Sequence, residues 1–253
     1  MKLLNLILPV ILLLLLTGFQ PHFFDLSATE IIQKADKRLR GKSNKAEFTM
    51  EIVRPDWKRT MSMKSWSKGD DYSLVLVLSP AKDKGTVSLK IKNEMWNWLP
   101  SIERSIKISP SMMMQSWMGS DFTNDDLIKQ SSIVHDYTHS LLAEENFMGI
   151  DCYKIQMIPK PDAPVVWGKI VTWISKEHFN QRKTEYFDED GELVNRMITS
   201  ELKQLGGKLL PARMEMIPME KEGHKTVMTY LSIDFDVNIE DRFFSKQNMR
   251  RVR

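Results

Sequence analysis

The sequence predicts a mainly β protein, a curved or barrel-like antiparallel sheet closed by a few helical pieces. Three observations predict it. Apolar and polar residues alternate with period two through most of the chain, so each strand has one apolar and one polar face. Turn chemistry falls between these runs, at Lys68-Gly69-Asp70, Asp190-Gly191, Gly206-Gly207 and Glu222-Gly223. Helical spacing is confined to short segments, so a one-sided sheet has to pack on itself, roll up or be capped by those pieces.

In chain order, residues 1–20 come first, reading MKLLNLILPVILLLLLTGFQ. One lysine precedes an apolar stretch from Leu3 to Leu16, 14 residues interrupted only by Asn5 and Pro9. That is short for a bilayer span and right for the apolar region of a signal peptide. No A-x-A pattern follows, so a cut near Gln20 and an uncleaved anchor both stay open. Export places the lone Cys152 in an oxidising compartment, where its strand-like setting, DCYKIQMI, makes it a buried, inert thiol. Residues 21–253 read as one domain, without linker, low-complexity stretch or short repeat.

The first helix opens at Ser27, with Glu30 completing a capping box. Ile31, Ile32, Ala35 and Leu39 recur at helical spacing, and Gly41 ends the run. A second helix begins at Thr123, with Asp126 at its third position and Leu127 and Ile128 as its apolar side. A last short helix follows Asn238, with Phe243 and Phe244 turned inward. Between them lie roughly a dozen strand-like runs. Phe48, Met50 and Ile52 share one face, as do Trp57, Met61 and Met63, and Val87, Leu89 and Ile91. Further runs cover residues 72–78, 94–99, 105–108, 138–145, 152–158, 168–175, 182–188, 193–203, 209–219 and 226–237. The ten side chains Met50, Ile52, Met61, Met63, Leu74, Leu76, Leu89, Ile91, Trp96 and Trp98 are expected to share one concave side, although Val75 and Val77 are apolar on the other.

Composition narrows the function. The chain has 253 residues, with 36 Lys and Arg against 33 Asp and Glu. A net charge of +3 gives no basis for nucleic-acid binding. One cysteine rules out a disulfide framework and a cysteine-built zinc site. There is no nucleophile elbow, phosphate loop, zinc-protease motif or dinucleotide fingerprint. His135 and His139 sit at a strand start, where residues four apart are about 13 Å apart, and read as surface histidines rather than metal ligands. Asp125-Asp126 and Glu144-Glu145 suit a helix start and a solvated strand edge, and nothing singles out a catalytic pair. The expectation is a protein with no catalytic residues, no metal and no cofactor.

Soft apolar side chains stand out instead. Trp96 and Trp98 share a strand, then come Met112-Met113-Met114, Trp117-Met118 and Phe122 in a Ser- and Pro-flanked loop. Methionine adapts to varied apolar partners. Residues 109–122 are expected to fold over the open end of the sheet, with Met113, Met114, Trp117, Met118 and Phe122 as the underside. Whether these side chains only pack or also line a ligand site stays open.

Residues 95–127, MWNWLPSIERSIKISPSMMMQSWMGSDFTNDDL, resemble the signature of exported proteins of the outer-membrane lipoprotein-sorting family, relatives of the periplasmic carrier LolA. Trp96, Trp98, Leu99 and Pro100 match its first part, and Arg104 and Lys107 its basic positions. Met118, Gly119, Ser120, Asp121 and Phe122, with Asp125, Asp126 and Leu127, match its last part. Asn97 and Ser101 depart from it, standing where relatives are more aromatic or apolar, and the Met triplet replaces a more polar loop. The closing segment IEDRFFSKQNMRR also resembles the family's.

The resemblance implies a half-open antiparallel β-barrel of about eleven to twelve strands. An N-terminal helix and short helices would form a lid over an apolar cavity. It further implies a monomeric periplasmic carrier of a Gram-negative-type bacterium. Such a carrier takes lipid or lipoprotein acyl chains towards the outer membrane with transient membrane contact. The alternative is a non-enzymatic accessory subunit. It would dock on an inner-membrane transporter, of the resistance-nodulation-division or ABC permease type, through the Met-Trp loop.

Overall fold

The structure is a computed structural model that describes residues 26–128 and 132–253. The expected signal segment 1–20 and the side chain of Ile128 lie outside the described residues. Helix α1 (Ala28–Arg40) leads into β1 (Ser43–Val53), β2 (Lys58–Lys68), β3 (Tyr72–Ser79), β4 (Val87–Ile91), β5 (Glu94–Leu99) and β6 (Arg104–Lys107). A connecting segment carrying helix α2 (Asn124–Ile128) follows. The chain then forms β7 (Tyr137–Phe147), β8 (Ile150–Pro159), β9 (Lys169–Ser175), β10 (Gln181–Phe187), β11 (Leu193–Leu205), β12 (Lys208–Pro218) and β13 (Lys225–Phe235).

All thirteen strands make one antiparallel sheet in the order β6-β5-β4-β3-β2-β1-β13-β12-β11-β10-β9-β8-β7. Every strand-like run in the sequence becomes one of them, which makes thirteen where the family resemblance implied eleven to twelve. The sheet is open, with β6 and β7 as its edges. Pairing of β1 with β13 puts the two halves side by side. The chain therefore works outward from β1 to one edge, crosses to the opposite edge at β7, and works back. Residues 108–128 and 132–136 lie on that crossing.

Both faces of the sheet are covered, by different parts of the chain. The inner face meets α1 and the crossing segment. Under the crossing segment lies one cluster containing Met50, Ile52, Met61, Met63, Val75, Val77 and Met95, with Trp117 and Phe122 packed on it. Under α1 lies a second, in which Ile31 and Ile32 meet Tyr137, Ile155, Met157 and Trp167. The outer face of β2–β5 meets the chain end, where Trp66, Leu74, Leu76, Val87, Leu89 and Trp96 pack against Phe244, Met249 and Val252.

This divides the ten side chains expected on one concave side. Met50, Ile52, Met61 and Met63 face inward. Leu74, Leu76, Leu89, Ile91, Trp96 and Trp98 face outward, and the inward positions of β3 and β5 belong to Val75, Val77 and Met95. Cross-strand pairs confirm the division, since Trp66 is opposite Leu74, Leu74 opposite Leu89, and Leu89 opposite Trp96. In β3 the physical reason is burial on both faces, which makes a continuous apolar run and removes the signal that tells inside from outside, whereas β4 alternates but turns its polar side, Ser88 and Lys90, inward and its apolar side to the chain end. Trp57, expected beside Met61, lies before β2 and is 50% exposed.

The expected last helix is two 3₁₀ turns, Asp241–Phe243 and Asn248–Arg250. Phe244 stacks on Tyr72 at 5.2 Å and meets Phe243 edge-on at 5.4 Å, while Phe243 reaches Trp66 at 5.3 Å. Cys152 is fully buried on the outer face with Val171 and Trp173, and burial pushes its thiol pKa up, as an inert thiol requires. The chain end is thus part of the core. Phe244→Ala is expected to destabilise the fold by about 3–5 kcal/mol in a urea titration, the usual cost of deleting a buried phenyl ring.

Candidate functional site

The site is built from α1, the crossing segment and the inner faces of β8–β13. Helix α1 starts with the expected capping box: Ser27 Oγ accepts from the Glu30 N–H at 3.3 Å, and Glu30 Oε2 accepts from the Ser27 N–H at 2.9 Å. Gly41 ends it at φ +63°, where a Cβ would come within 3.0 Å of the Phe235 ring. Arg38 ties the helix to the sheet, its Nε donating to Asn180 Oδ1 and its Nη2 to the Leu209 carbonyl, each at 3.0 Å. Arg40 pairs with Asp36 on its own helix and with Asp70 in the β2–β3 turn at 2.8 Å. His139 holds the other end, with Thr29 Oγ1 at 3.1 Å from Nδ1 and the Ile133 carbonyl at 2.7 Å from Nε2. It is half-buried rather than a surface histidine, whereas His135 is exposed beside Asp70.

The crossing segment folds into a tight turn from Trp117 to Phe122. The Trp117 N–H donates to the Phe122 carbonyl at 2.8 Å. Ser120 Oγ donates to the Trp117 carbonyl at 2.7 Å and accepts from the Phe122 N–H at 3.2 Å. Met118 and Gly119 turn the backbone at φ +53° and +77°, a region that glycine enters without strain. Asp121 then locks the turn to the sheet. Its Oδ2 accepts from Arg54 Nη1 at 3.0 Å and from Thr226 Oγ1 at 2.7 Å, and its own N–H donates to Thr226 Oγ1 at 2.9 Å. Arg54 also donates to the Gly119 carbonyl, and Arg59 to that of Met118. On the inner side, Trp117 Nε1 donates to Ser88 Oγ at 3.0 Å, which donates to Asn97 Oδ1 at 2.8 Å. The departure at Asn97 thus completes a buried hydrogen-bond chain.

Helix α2 is capped reciprocally: Thr123 N–H to Asp126 Oδ2 at 2.8 Å, and Asp126 N–H to Thr123 Oγ1 at 3.1 Å. Asp126 Oδ1 also accepts from Trp167 Nε1 at 3.2 Å. Burial raises the Asp126 pKa despite these bonds, and it also raises that of Tyr186, helped by the nearby Asp126 charge.

These elements enclose an apolar cavity of about 150 Å³. Of the expected site residues, Trp117, Phe122, Asp125, Asp126 and Leu127 line it. Met50, Ile52, Met61 and Met63 form packed core beside it. Met113 and Met118 pack, partly buried, against that core, but Met114, expected on the underside, is 54% exposed. Pro100 lies at the β5–β6 turn against Gly85, and Arg104 is exposed at the start of β6, both away from the cavity. Most of the wall comes from residues not expected there, among them Ile32, Tyr137, Ile170, Tyr186, Met197 and Met214. The period-two pattern of β9–β12 and the stripe of α1 contained them, without a mark to show which apolar face meets a roof.

A family model described only as "Uncharacterized protein" matches residues 69–251. No curated protein matches the chain. Among solved structures, a DUF1329 family protein from Desulfovibrio piger is 27% identical, with a TM-score of 0.81 over 88% of this chain and 97% of that one. A putative outer membrane lipoprotein-sorting protein domain from Vibrio parahaemolyticus is 24% identical, with a TM-score of 0.77 over 88% and 98%. A LolA superfamily protein from Nitrosomonas europaea is 23% identical, with a TM-score of 0.76 over 88% and 100%. The last two establish the fold.

Two outcomes follow from this geometry. Arg54 and Asp121 are only 12% and 6% exposed, so Arg54→Ala leaves a buried carboxylate without its cation. It should destabilise the fold by about 3–5 kcal/mol and open residues 109–122 to proteolysis first, read by denaturant titration and limited digestion. Burial, more than the charge of Lys160, lowers the His139 pKa from 6.5, and the Ile133 bond opposes this. The folded state then binds fewer protons than the unfolded chain below pH 6.5. Stability is full above that value and falls as pH drops towards the lowered folded-state value. His139→Gln should flatten this part of the thermal-midpoint profile between about pH 7 and 5.

Proposed function

The chain belongs to the family whose model spans residues 69–251, with the fold of the LolA superfamily, and from that premise we propose that it is a periplasmic carrier of lipid or lipoprotein acyl chains. The observation that carries this is the apolar cavity roofed by α1 and the crossing segment. Neither roof element is a strand of the ladder, so either can shift without breaking the sheet's hydrogen bonds. At about 150 Å³ the cavity suits a benzene-sized group. A longer chain enters only as the roof moves, and each buried methylene then contributes about 0.8 kcal/mol. The methionines of the wall, Met157, Met197, Met214, Met216 and Met228, conform to varied apolar shapes and permit release. The reading needs no catalytic group.

Export by residues 1–20 and transfer towards the outer membrane complete the reading. Among the described residues no helix is long and apolar enough to cross a membrane. Exposed Ile102 and Ile106, beside Arg104 and Lys107 at the free β6 edge, suit a passing contact with an anionic membrane surface. Docking on an inner-membrane transporter through the Met-Trp loop has less support, because Trp117 and Phe122 are buried and Met114 alone of the expected underside is well exposed.

Native mass spectrometry of protein prepared from the periplasm should find co-purified lipid. Met197→Trp fills the cavity from its wall and should reduce that lipid at least several-fold while the thermal midpoint shows the sheet still folded. Wild-type protein that carries no lipid and binds no added fatty-acyl probe would overturn the reading.

A further inference from the structure

The cavity wall carries polar groups for which a plain acyl chain has no use. Thr172, Thr184 and Thr199 line it from β9, β10 and β11 and are all buried. Thr172 and Thr184 share a hydrogen bond at 2.9 Å, Gln181 Nε2 donates to Thr184, and Thr199 donates to the Gln181 carbonyl. Their hydroxyls are thereby used within the wall. Two groups of the same wall are not. Tyr186 lines the cavity beside the Trp167 ring, 5.3 Å centre to centre, and its hydroxyl has no hydrogen-bond partner among the described residues. Gln181 Oε1 likewise accepts nothing among the described residues.

The Tyr186 hydroxyl opens onto the cavity rather than being sealed in packed protein, so a cargo there can complete its hydrogen bonding. We propose that the cargo carries a neutral hydroxyl on an otherwise apolar body, and that this hydroxyl accepts from Tyr186 and donates to Gln181 Oε1 or to Asp126 inside the cavity. The inference rests on the reading that the cavity holds an apolar cargo, and it narrows the class of that cargo. A carboxylate would meet the Asp126 carboxyl in the same wall, and Arg40, the cation of that wall, is already paired with Asp36 and Asp70. An ammonium group would surrender its full hydration shell to a mostly apolar wall, at a far greater cost than a neutral hydroxyl does. A neutral hydroxyl meets neither obstacle, and it suits the Tyr186 donor with an acceptor at Gln181 or Asp126.

The test uses phenol and toluene, which have the same size and shape, fit a cavity of this volume and differ by the hydroxyl. Their dissociation constants are measured by calorimetry on wild type, Tyr186→Phe, Gln181→Leu and the double variant. Tyr186→Phe deletes only an unpartnered oxygen, so it should fold with an unchanged or raised thermal midpoint. The expected result is that the preference for phenol over toluene falls about tenfold in Tyr186→Phe, with toluene affinity held or improved, and falls again in the double variant. A preference that is the same in wild type and both variants overturns the hydroxyl anchor, leaves water as the partner of Tyr186, and leaves the apolar carrier standing. Failure of both probes to bind wild type overturns the carrier reading and the anchor with it.

Discussion

The pairing of β1 with β13 governs the rest of the molecule. It leaves β6 and β7 at opposite edges of a thirteen-stranded sheet, so the chain must cross the whole inner face between them. A crossing segment carries unpaired backbone groups into a place where apolar side chains are buried, and each such group needs a partner. This explains the density of short polar side chains between Ser116 and Asp126. Ser120, Thr123, Asn124 and Asp126 each bond a backbone group of their own segment, Asp121 takes the Arg54 and Thr226 side chains, and the Asp121 N–H donates to Thr226 Oγ1. The Met-Gly-Ser-Asp-Phe motif is therefore a fastening: glycine makes the turn, serine closes it, and aspartate fixes it to Arg54 and Thr226.

Covering the outer face is the second consequence of so large a sheet. Strands β2–β5 have the crossing segment on one side and the chain end on the other, so they are core strands inside a nominally one-sided sheet. Much of the inner packing is methionine, which fills irregular gaps beneath a roof of loops and short helices better than branched side chains can. That softness leaves a cavity between the two inner clusters where a stiffer core would have closed it.

Local features were legible in the sequence because local chemistry decides them. The capping box at Ser27 and Glu30, the stop at Gly41, the turns at Gly69 and Gly191, and burial of Trp117 and Phe122 all appear where spacing and composition put them. The choice of face was legible where a strand turns its one polar side away from the core, as in β1, and misleading in β4, whose polar side, Ser88 and Lys90, faces inward. For Leu74 to Val77 both sides are apolar, and the deciding partner, Phe244, stands about 170 positions away in the chain. The cavity was displaced for the same reason: its wall lies mostly on β8–β12, whose inward residues become special only once α1 and α2 are laid over them. Asp126 reads as a helix cap and is one, but its second role, facing the cavity beside Trp167 and Tyr186, depends on contacts no spacing reveals.

The two roof elements are fastened with unequal strength. The crossing segment is continuous with the sheet at both ends, and its ion pair to the sheet, Arg54–Asp121, is buried and bonded on several sides. From α1, Arg38 donates to Asn180 and to the Leu209 carbonyl, and the ion pair across the mouth is Arg40–Asp70, in which Asp70 is 48% exposed and open to solvent screening. The Asp36–Arg40 pair lies within the helix and resists no movement of it. Both elements bury large side chains, Ile31 and Ile32 in one and Trp117 and Phe122 in the other, so burial does not separate them. The electrostatics do, and they make α1 the softer wall. Lifting α1 exposes Ile32, Ala35 and Leu39, the apolar stripe that lines the cavity, and leaves the Trp117–Ser88–Asn97 chain intact. An apolar cargo entering there replaces the contacts that the stripe gives up, so loading and opening draw on the same buried surface.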